Sequence, residues 1–284
     1  MFTTPKLILP FVETMATQVC NLSCHGCSNY SDIKHNGYVS WNNVKAQIEP
    51  WLEIVDIPDF GIIGGEPLIN PEIKEWIIGL RELLPSSQIR FTTNGLLLHK
   101  HTDLMDLFRS IGNCVLKITV HQHDEWLEDY ITTLLSDPVW QPVVEHNIKR
   151  WKNNNNVRLQ VNRPDTFLKT YQGNYQTMRP YHNDHKRAFD NCMQKTCPLL
   201  HKGKIYKCST AGLLKEILEK YNRPNYQEWM PYIDHGIDIN SPFEDIKNFV
   251  ENFGQPHGIC SQCPTSSDRT IDHKITVFPA NPKQ

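Results

Sequence analysis

Three cysteines near the start of the chain are spaced closely enough to bind one metal cluster together. Cys20, Cys24 and Cys27 fall within eight residues, separated by three residues and then by two. A [4Fe–4S] cube takes one sulfur ligand per iron, so three thiolates hold three irons and leave the fourth open to another ligand. A closed zinc site is the alternative, with His25 as its fourth ligand, although His25 stands between two of the cysteines in a poor geometry.

A second group of five cysteines lies in the C-terminal third of the chain. Cys260 and Cys263 form a CxxC knuckle, and Cys192, Cys197 and Cys208 precede it. Five thiols exceed the four ligands that one cluster or one zinc ion takes, so one of them is left over. A zinc ribbon built from four of the five is the alternative to a second cluster.

The composition restricts the compartment and the partners. Nine cysteines cannot all pair in disulfides, and the chain does not open with a charged and apolar export signal. We therefore expect a cytoplasmic protein whose cysteines bind metal, with only Cys114 as an ordinary core residue. A net charge of −2 disfavours a nucleic-acid partner, and no apolar run approaches the roughly 20 residues that cross a membrane.

Strand and helix patterns alternate over the first 165 residues. This alternation favours an α/β fold with a parallel sheet, in which ligands bind at the carboxyl ends of the strands. Ser40 and Asn70 are predicted helix N-caps, and Gly112 is a predicted helix end. The predicted strands cover residues 11–16, 59–63, 88–93, 115–121 and 157–161, and the predicted helices cover 41–55, 73–84, 104–111, 124–136 and 142–151.

The alternation stops after about residue 165. Residues 198–208 predict a hairpin that turns near Lys202-Gly203, followed by helices over 213–221 and 243–253 and a last strand over 275–278. We place one domain at residues 1–185 and a small α+β domain at residues 186–284.

Three motifs, at three successive strand ends, resemble the radical S-adenosylmethionine (SAM) superfamily. They are the Cys-x3-Cys-x2-Cys loop, Gly64-Gly65-Glu66-Pro67 and Thr92-Thr93-Asn94-Gly95, and the resemblance covers about residues 10–165. It implies a partial (β/α)6 TIM-like barrel and a site-differentiated [4Fe–4S] cluster whose open iron chelates SAM. Such enzymes cleave SAM reductively to a 5′-deoxyadenosyl radical, which abstracts a substrate hydrogen atom.

The resemblance also implies roles for single residues. Gly64 and Gly65 let the backbone approach the SAM ammonium, and Glu66 supplies charge near it. Gly26 stands where these proteins often carry an aromatic residue near the adenine, so His25 or Tyr30 is expected to replace that contact. The other cofactor-binding residues are Pro67 and Asn94 in the two motifs, Thr119 and His121 near the ribose, and Arg163 as a partner of the SAM carboxylate.

The second cysteine group resembles the auxiliary-cluster domains of the same superfamily. The spacing from Cys192 to Cys208 is similar to the first half of the SPASM signature, and no cysteine follows Cys263, as in the shorter twitch form with a single auxiliary [4Fe–4S] cluster. This resemblance implies Cys208, Cys260, Cys263 and Cys192 as ligands. A hairpin turning at 202–203 places Cys197 opposite Cys208, which favours Cys197 as the fourth ligand instead.

The left-over cysteine, Cys197 or Cys192, is the candidate catalytic thiol. A thiol can return a hydrogen atom to a carbon radical, which is how radical epimerases finish their reaction, whereas a dehydrogenase passes an electron to the auxiliary cluster. We expect a small polyhydroxylated substrate (a sugar, an aminocyclitol or an aminoglycoside-like molecule) and a flavodoxin or ferredoxin-type reductant.

Two other functions stay open. One is radical epimerisation or crosslinking of a ribosomally made peptide, which the 19 residues before Cys20 disfavour because a peptide-recognition domain needs more. The other is a zinc-binding interaction protein without enzymatic activity.

Overall fold

The computed structural model of the chain describes residues 6–33, 35–136, 141–145, 148–152, 157–164, 166–266, 271–272 and 275–277. The strands within these ranges are β1 (Leu7–Ile8), β2 (Val12–Met15), β3 (Leu22–Cys24), β4 (Val55–Asp56), β5 (Asp59–Ile63), β6 (Gln88–Thr93), β7 (Cys114–Thr119), β8 (Gln141–Glu145), β9 (Ile148–Lys152), β10 (Val157–Asn162), β11 (Thr166–Phe167), β12 (Leu199–His201), β13 (Lys204–Tyr206), β14 (Ile237–Asp238), β15 (Ile271–Asp272) and β16 (Ile275–Val277). The α-helices are α1 (Trp41–Leu52), α2 (Ile73–Leu83), α3 (Leu104–Ile111), α4 (Glu125–Ser136), α5 (His185–Asp190), α6 (Ser209–Tyr221), α7 (Tyr226–Trp229) and α8 (Phe243–Asn252).

Ten of these strands form one sheet, in the order β14-β13-β12-β2-β5-β6-β7-β10-β9-β8. The six central strands, from β12 to β10, pair in parallel. The helices α1, α2, α3 and α4 each connect two successive parallel strands between β2 and β10. This is the mixed α/β, parallel-rich fold that the alternating pattern predicts.

The two faces of the sheet differ because side chains alternate along each strand. Phe60, Phe91 and Leu116 are fully buried on the outer face, in the core shared with the helices. Glu13 and Lys117 point the other way and line a cavity. The alternation therefore builds the core and the polar site from the same strands.

The sixth parallel strand departs from the predicted (β/α)6 order. In that order the sixth strand extends the edge formed by the fifth, whereas β12 lies beside β2, with Leu199 opposite Glu13. The edge of β10 is taken by antiparallel β9 and β8. The helix predicted over residues 142–151 is therefore wrong, because this segment pairs as two strands along the available edge of the sheet.

Two of the three residues that were predicted to begin or end a helix do so. Ser40 caps α1 by accepting a hydrogen bond from Asn43 N–H, and Gly112, with φ of +60°, ends α3, as predicted. Asn70 is not the N-cap of α2, which begins at Ile73. Its buried amide instead donates to the carbonyl oxygens of Ala16 and Val39, at 3.0 and 2.9 Å.

The C-terminal part continues the sheet of the N-terminal part. The predicted hairpin is formed by β12 and β13, and both turn residues, Lys202 and Gly203, have positive φ. Helices α6 and α8 occupy the two predicted helical segments, and β16 pairs with β3. The division at residues 185 and 186 stays a prediction, and sheet pairing between β12 and β2 crosses it. No helix in the described part of the chain is both long and apolar enough to cross a membrane.

Trp51 of α1 holds the hairpin turn, because its indole N–H donates to Gly203 O at 2.9 Å. We expect Trp51→Phe to lower the free energy of unfolding by about 0.5–1.5 kcal/mol, since it removes the donor of a hydrogen bond to a partly buried carbonyl oxygen. Urea denaturation followed by circular dichroism measures this change. Trp126→Phe, at a side chain that is 40% exposed, is the control and should be nearly neutral. Equal stability of wild type and Trp51→Phe would contradict the role of this contact.

Candidate active site

A cavity of about 160 Å³ lies at the carboxyl ends of β5, β6 and β7, next to the first cysteine loop. Cys20, Cys24 and Cys27 all line it. The structure thus brings the three thiols together with the strand-end motifs on one side of the sheet. The strand-end residues that line the same cavity are Gly64, Gly65, Thr92, Thr93, Asn94, Thr119 and His121.

Burial governs the protonation of these thiols. Burial, followed by the charge of Glu66, raises the pKa of Cys20 to about 12. Burial, followed by the charge of Asp32, raises the pKa of Cys27 to about 11. Leu22 N–H donates to Cys20 Sγ at 3.4 Å. Because a thiol loses its proton when it binds a metal, a bound cation is what would ionise three thiols that burial keeps neutral.

The Gly64–Gly65 turn lies directly on the backbone of the first cysteine loop. Gly65 N–H donates to Thr17 O at 2.8 Å. A Cβ atom at Gly65 would lie 2.2 Å from Val19 O, and one at Gly64 would lie 2.6 Å from Thr17 O. The sequence suggested that the two glycines let the backbone approach a ligand closely. In the structure, they let it approach the protein's own cysteine loop.

Glu66 does not line the cavity, and the prediction that it supplies charge near the ligand stays a prediction. It is fully buried. Its Oε1 accepts from Thr93 Oγ1 at 2.7 Å and from Leu68 N–H at 3.0 Å, and its Oε2 accepts from Asn94 N–H at 2.7 Å. Burial raises the pKa of Glu66 to about 7. Its role is to join the loops after β5 and β6.

Polar side chains surround the remaining wall of the cavity. Asn94 Nδ2 donates to Asn21 Oδ1 at 2.7 Å and lies 3.9 Å from Cys20 Sγ. His121 stacks on Phe167, with ring centres 5.5 Å apart and planes inclined by 19°. This pair is an apolar surface beside Thr119, of the kind on which a planar base can stack.

Tyr30, Arg163 and Pro67 are not part of this cavity. Tyr30 is fully buried against the rings of Tyr171 and Tyr175, and its predicted contact with adenine stays a prediction. Arg163 pairs with Glu128 at 2.5 Å and lines the larger cavity described below. Pro67 is buried at the start of a short 3₁₀ turn. His25, the other candidate for the adenine contact, is exposed.

A larger cavity, of about 470 Å³, adjoins the first and shares part of its wall. Thr119, His121 and Phe167 line both cavities. The far wall carries members of the second cysteine group. These are Cys192, Cys197, Cys208 and Cys263.

Glu13 distinguishes the surroundings of Cys197 from those of the other cysteines in this wall. Burial raises the pKa of Cys208 to about 12, with Cys192 as the next largest cause. Burial also raises the pKa of Cys197 to about 12, with Glu13 as the next largest cause and Cys192 as a weaker one. Glu13 N–H donates to the carbonyl oxygen of Pro198, which follows Cys197, at 2.9 Å. Which of Cys192 and Cys197 is the fourth ligand of this group stays a prediction.

The spacing within these groups is not that of a single-ion site. Among the residues that the structure describes, no three His, Cys, Asp or Glu side chains lie close enough to hold one metal ion. In a [4Fe–4S] cluster each thiolate binds a different iron, so its ligands do not converge on one point.

Glu13 and Lys117 are site residues that sequence reasoning missed. Both lie on the inner face of the sheet and line the larger cavity. Burial raises the pKa of Glu13 to about 8, against the opposing charges of Lys117 and Arg90. Glu13 could have been found in the sequence as a lone carboxylate within a short apolar strand. Burying such a group is costly, so its presence there indicates a function.

A hydrogen-bond network joins the two cysteine groups. Gln194 Nε2 donates to Ser28 Oγ at 3.1 Å and to Ser209 Oγ at 2.7 Å. Thr210 Oγ1 donates to Ser28 O at 3.2 Å and to Gln194 Oε1 at 3.3 Å. Ser28 follows Cys27 in the sequence and Ser209 follows Cys208, so these bonds hold the two groups at a set distance across the larger cavity.

Residues 15–161, just over half of the chain, match the family model of the Radical SAM superfamily. The chain therefore belongs to this superfamily, whose members use SAM and a [4Fe–4S] cluster. No curated protein matches the chain.

Two solved structures are similar to the chain. BtrN in complex with AdoMet and 2-DOIA is 16% identical over 94% of this chain and 100% of its own, with a TM-score of 0.52, which supports the fold. Streptococcus suis SuiB bound to the precursor peptide SuiA is 19% identical over 42% of this chain, with a TM-score of 0.34. This chain spans about a quarter of the length of SuiB, 26%.

The Gly65 contact provides a test of the first cysteine site. We expect Gly65→Ala to lower the iron that the chain retains after anaerobic reconstitution, because the new Cβ displaces the backbone before Cys20. Iron and sulfide analysis measures the loss. Gly254→Ala is the matched control, since a Cβ there meets nothing within 4 Å. Full iron content in Gly65→Ala would contradict the proposed dependence of the loop on this turn.

Proposed function

We propose that this protein is a radical SAM epimerase of a small polyhydroxylated molecule, with Cys197 as the hydrogen-atom donor. The observation that carries the proposal is the position of Cys197. It lines the cavity that adjoins the first cysteine site, and it directly precedes Pro198, whose carbonyl oxygen accepts a hydrogen bond from Glu13 N–H at 2.9 Å.

The residues around the first cavity fit the cofactors of the superfamily. Three thiols on one loop suit a [4Fe–4S] cluster with one open iron, and Cys20, Cys24 and Cys27 are its proposed ligands. When bound, the cluster and SAM supply the radical that removes a hydrogen atom from the substrate. Asn94 and Thr119 are placed to hold polar groups of SAM, and the His121–Phe167 pair is placed beside its planar base.

The larger cavity suits a small substrate rich in hydroxyl groups. Its volume of about 470 Å³ is that of a typical small-molecule site. Donors and acceptors line it on several sides, including Glu13, Thr92, Lys117, Asn162 and Thr170. Hydroxyl groups both donate and accept, so they can satisfy such a mixed wall.

Cys197 completes the proposed reaction from the wall of this cavity. Its S–H bond breaks and a new C–H bond forms on the substrate radical, which leaves a sulfur radical on Cys197. One electron and one proton then restore the thiol. Glu13, whose pKa burial raises to about 8, holds a proton at neutral pH and lies beside Cys197, so it is the proposed proton source.

Cys192, Cys208, Cys260 and Cys263 are the proposed ligands of an auxiliary [4Fe–4S] cluster in a twitch-type domain. This cluster is the proposed source of the electron that restores Cys197, refilled by a flavodoxin or ferredoxin-type reductant in the cytoplasm. Dehydrogenation is the second candidate function. Cys192, Cys208 and Cys263 line the same cavity, so a cluster that they bind would lie close enough to accept an electron from the substrate radical.

Cys197→Ala distinguishes the two functions. With a panel of cyclitols and aminocyclitols in deuterated water, the wild type is expected to form an epimer that carries one new C–D bond, found by mass spectrometry. The variant should keep both clusters and still release 5′-deoxyadenosine, yet form no epimer. Cys114→Ala, which removes a buried core thiol, is the control. An oxidised product that Cys197→Ala still forms would contradict epimerisation and favour dehydrogenation.

The raised pKa of Glu13 also predicts how the free energy of unfolding depends on pH. Between pH 4.5 and about 8 the folded chain keeps a proton on Glu13 that the unfolded chain has lost, so the free energy of unfolding falls as pH rises through this range. Glu13→Gln should flatten that fall, by at most about 1.4 kcal/mol per pH unit. Urea unfolding at several pH values measures the slope, with the exposed Glu251→Gln as control. An unchanged slope in Glu13→Gln would contradict the buried, protonated state.

A further inference from the structure

Lys207 places a buried positive charge beside the second cysteine group. The residue is only 7% exposed and directly precedes Cys208. Its Nζ donates to Lys195 O at 3.2 Å and lies 4.9 Å from the centre of the Phe189 ring. Cys192 N–H donates to Phe189 O at 2.9 Å. The ammonium is therefore held by the two segments that flank Cys192.

No carboxylate compensates this charge in the described part of the chain, where Lys207 takes part in none of the ion pairs. Lys207 directly precedes Cys208, and the two residues that its ammonium contacts, Phe189 and Lys195, lie on either side of Cys192 in the sequence. A buried ammonium without a counter-charge is costly. The compensating negative charge therefore has to come from the four-cysteine group once its thiols are ionised.

We infer that Lys207 is the counter-charge of the auxiliary cluster and raises its reduction potential, an inference that rests on the proposed function. Reduction adds one negative charge to a cluster whose four thiolates already make it anionic, and a fixed positive charge nearby favours the reduced form. Burial strengthens this effect because solvent ions screen a buried charge only weakly. Lys207 acts through its charge and not as a ligand, so it is a positioning residue.

The first cysteine group has the opposite surroundings. Glu66 accepts a hydrogen bond from Asn94, whose side chain lies 3.9 Å from Cys20 Sγ, and Asp32 accepts one from Ser23, which precedes Cys24. By contrast, Lys207 directly precedes Cys208, and Lys195 lies three residues after Cys192. Acidic surroundings oppose the added electron and keep the first cluster a strong reductant, as cleavage of SAM requires. Basic surroundings make it easier for an external reductant to reduce the second cluster again after that cluster has given its electron to Cys197.

A redox titration of the anaerobically reconstituted full chain, followed by electron paramagnetic resonance (EPR), tests the inference. Added SAM identifies the signal of the first cluster, so the SAM-insensitive signal reports on the second. We expect Lys207→Met to shift the midpoint potential of the second signal to more negative values. Lys207→Arg, which keeps the charge, and Lys204→Met, which removes a lysine three residues away on β13, should leave it unchanged.

A chelator assay gives a second, independent readout. Iron bound at the second site should be released faster from Lys207→Met than from wild type or Lys207→Arg, because the unbalanced negative charge weakens retention of the cluster. If Lys207→Met loses the cluster during purification, its retention in Lys207→Arg supports the inference.

Three outcomes would overturn the inference. A midpoint potential in Lys207→Met that is unchanged or more positive, with both clusters present, overturns it and leaves the proposed function standing. Loss of the second cluster in both Lys207→Met and Lys207→Arg shows that the lysine is needed for its shape and not for its charge. A wild-type chain without any iron–sulfur signal overturns the proposed function together with the inference.

Discussion

The contact between the Gly64–Gly65 turn and the first cysteine loop is the constraint on which the rest of the site depends. A side chain at either glycine would collide with backbone oxygens of that loop, so the turn after β5 sets where the three thiols lie. Glu66 extends the restraint, because its buried carboxylate also binds Thr93 and Asn94 after β6. Two strand ends and the cysteine loop thus form one connected wall, and the cavity beside the three thiols is a consequence of that wall.

The two cysteine groups line two adjoining cavities and differ in electrostatic surroundings. The first is near Asp32 and Glu66, and the second is near Lys207. Gln194 links the segments that carry them. Cys197 and Glu13 both line the larger cavity. In the proposed epimerisation, a substrate held there would meet the hydrogen donor and its proton source on the same wall.

Local patterns predicted the parallel-rich sheet, the cap at Ser40 and the turn at Gly203, because apolar periodicity and turn chemistry are visible in short windows of sequence. They did not predict that β12 pairs with β2, which depends on contacts such as Thr14 Oγ1 to Leu200 O across 186 residues. The burial of Tyr30 was not predicted for the same reason, since Tyr171 and Tyr175, which bury its ring, lie far along the chain. The polar inner face of the sheet stayed hidden because periodicity does not reveal what a face encloses.

The response of the first cluster to SAM tests the central claim most directly. EPR spectra of the anaerobically reconstituted, dithionite-reduced chain are recorded before and after SAM is added, and 5′-deoxyadenosine is then quantified. The account predicts that SAM alters the spectrum, that 5′-deoxyadenosine is formed, and that Cys24→Ala abolishes both. A chain that carries its clusters, shows the same spectrum with and without SAM and releases no 5′-deoxyadenosine would contradict it.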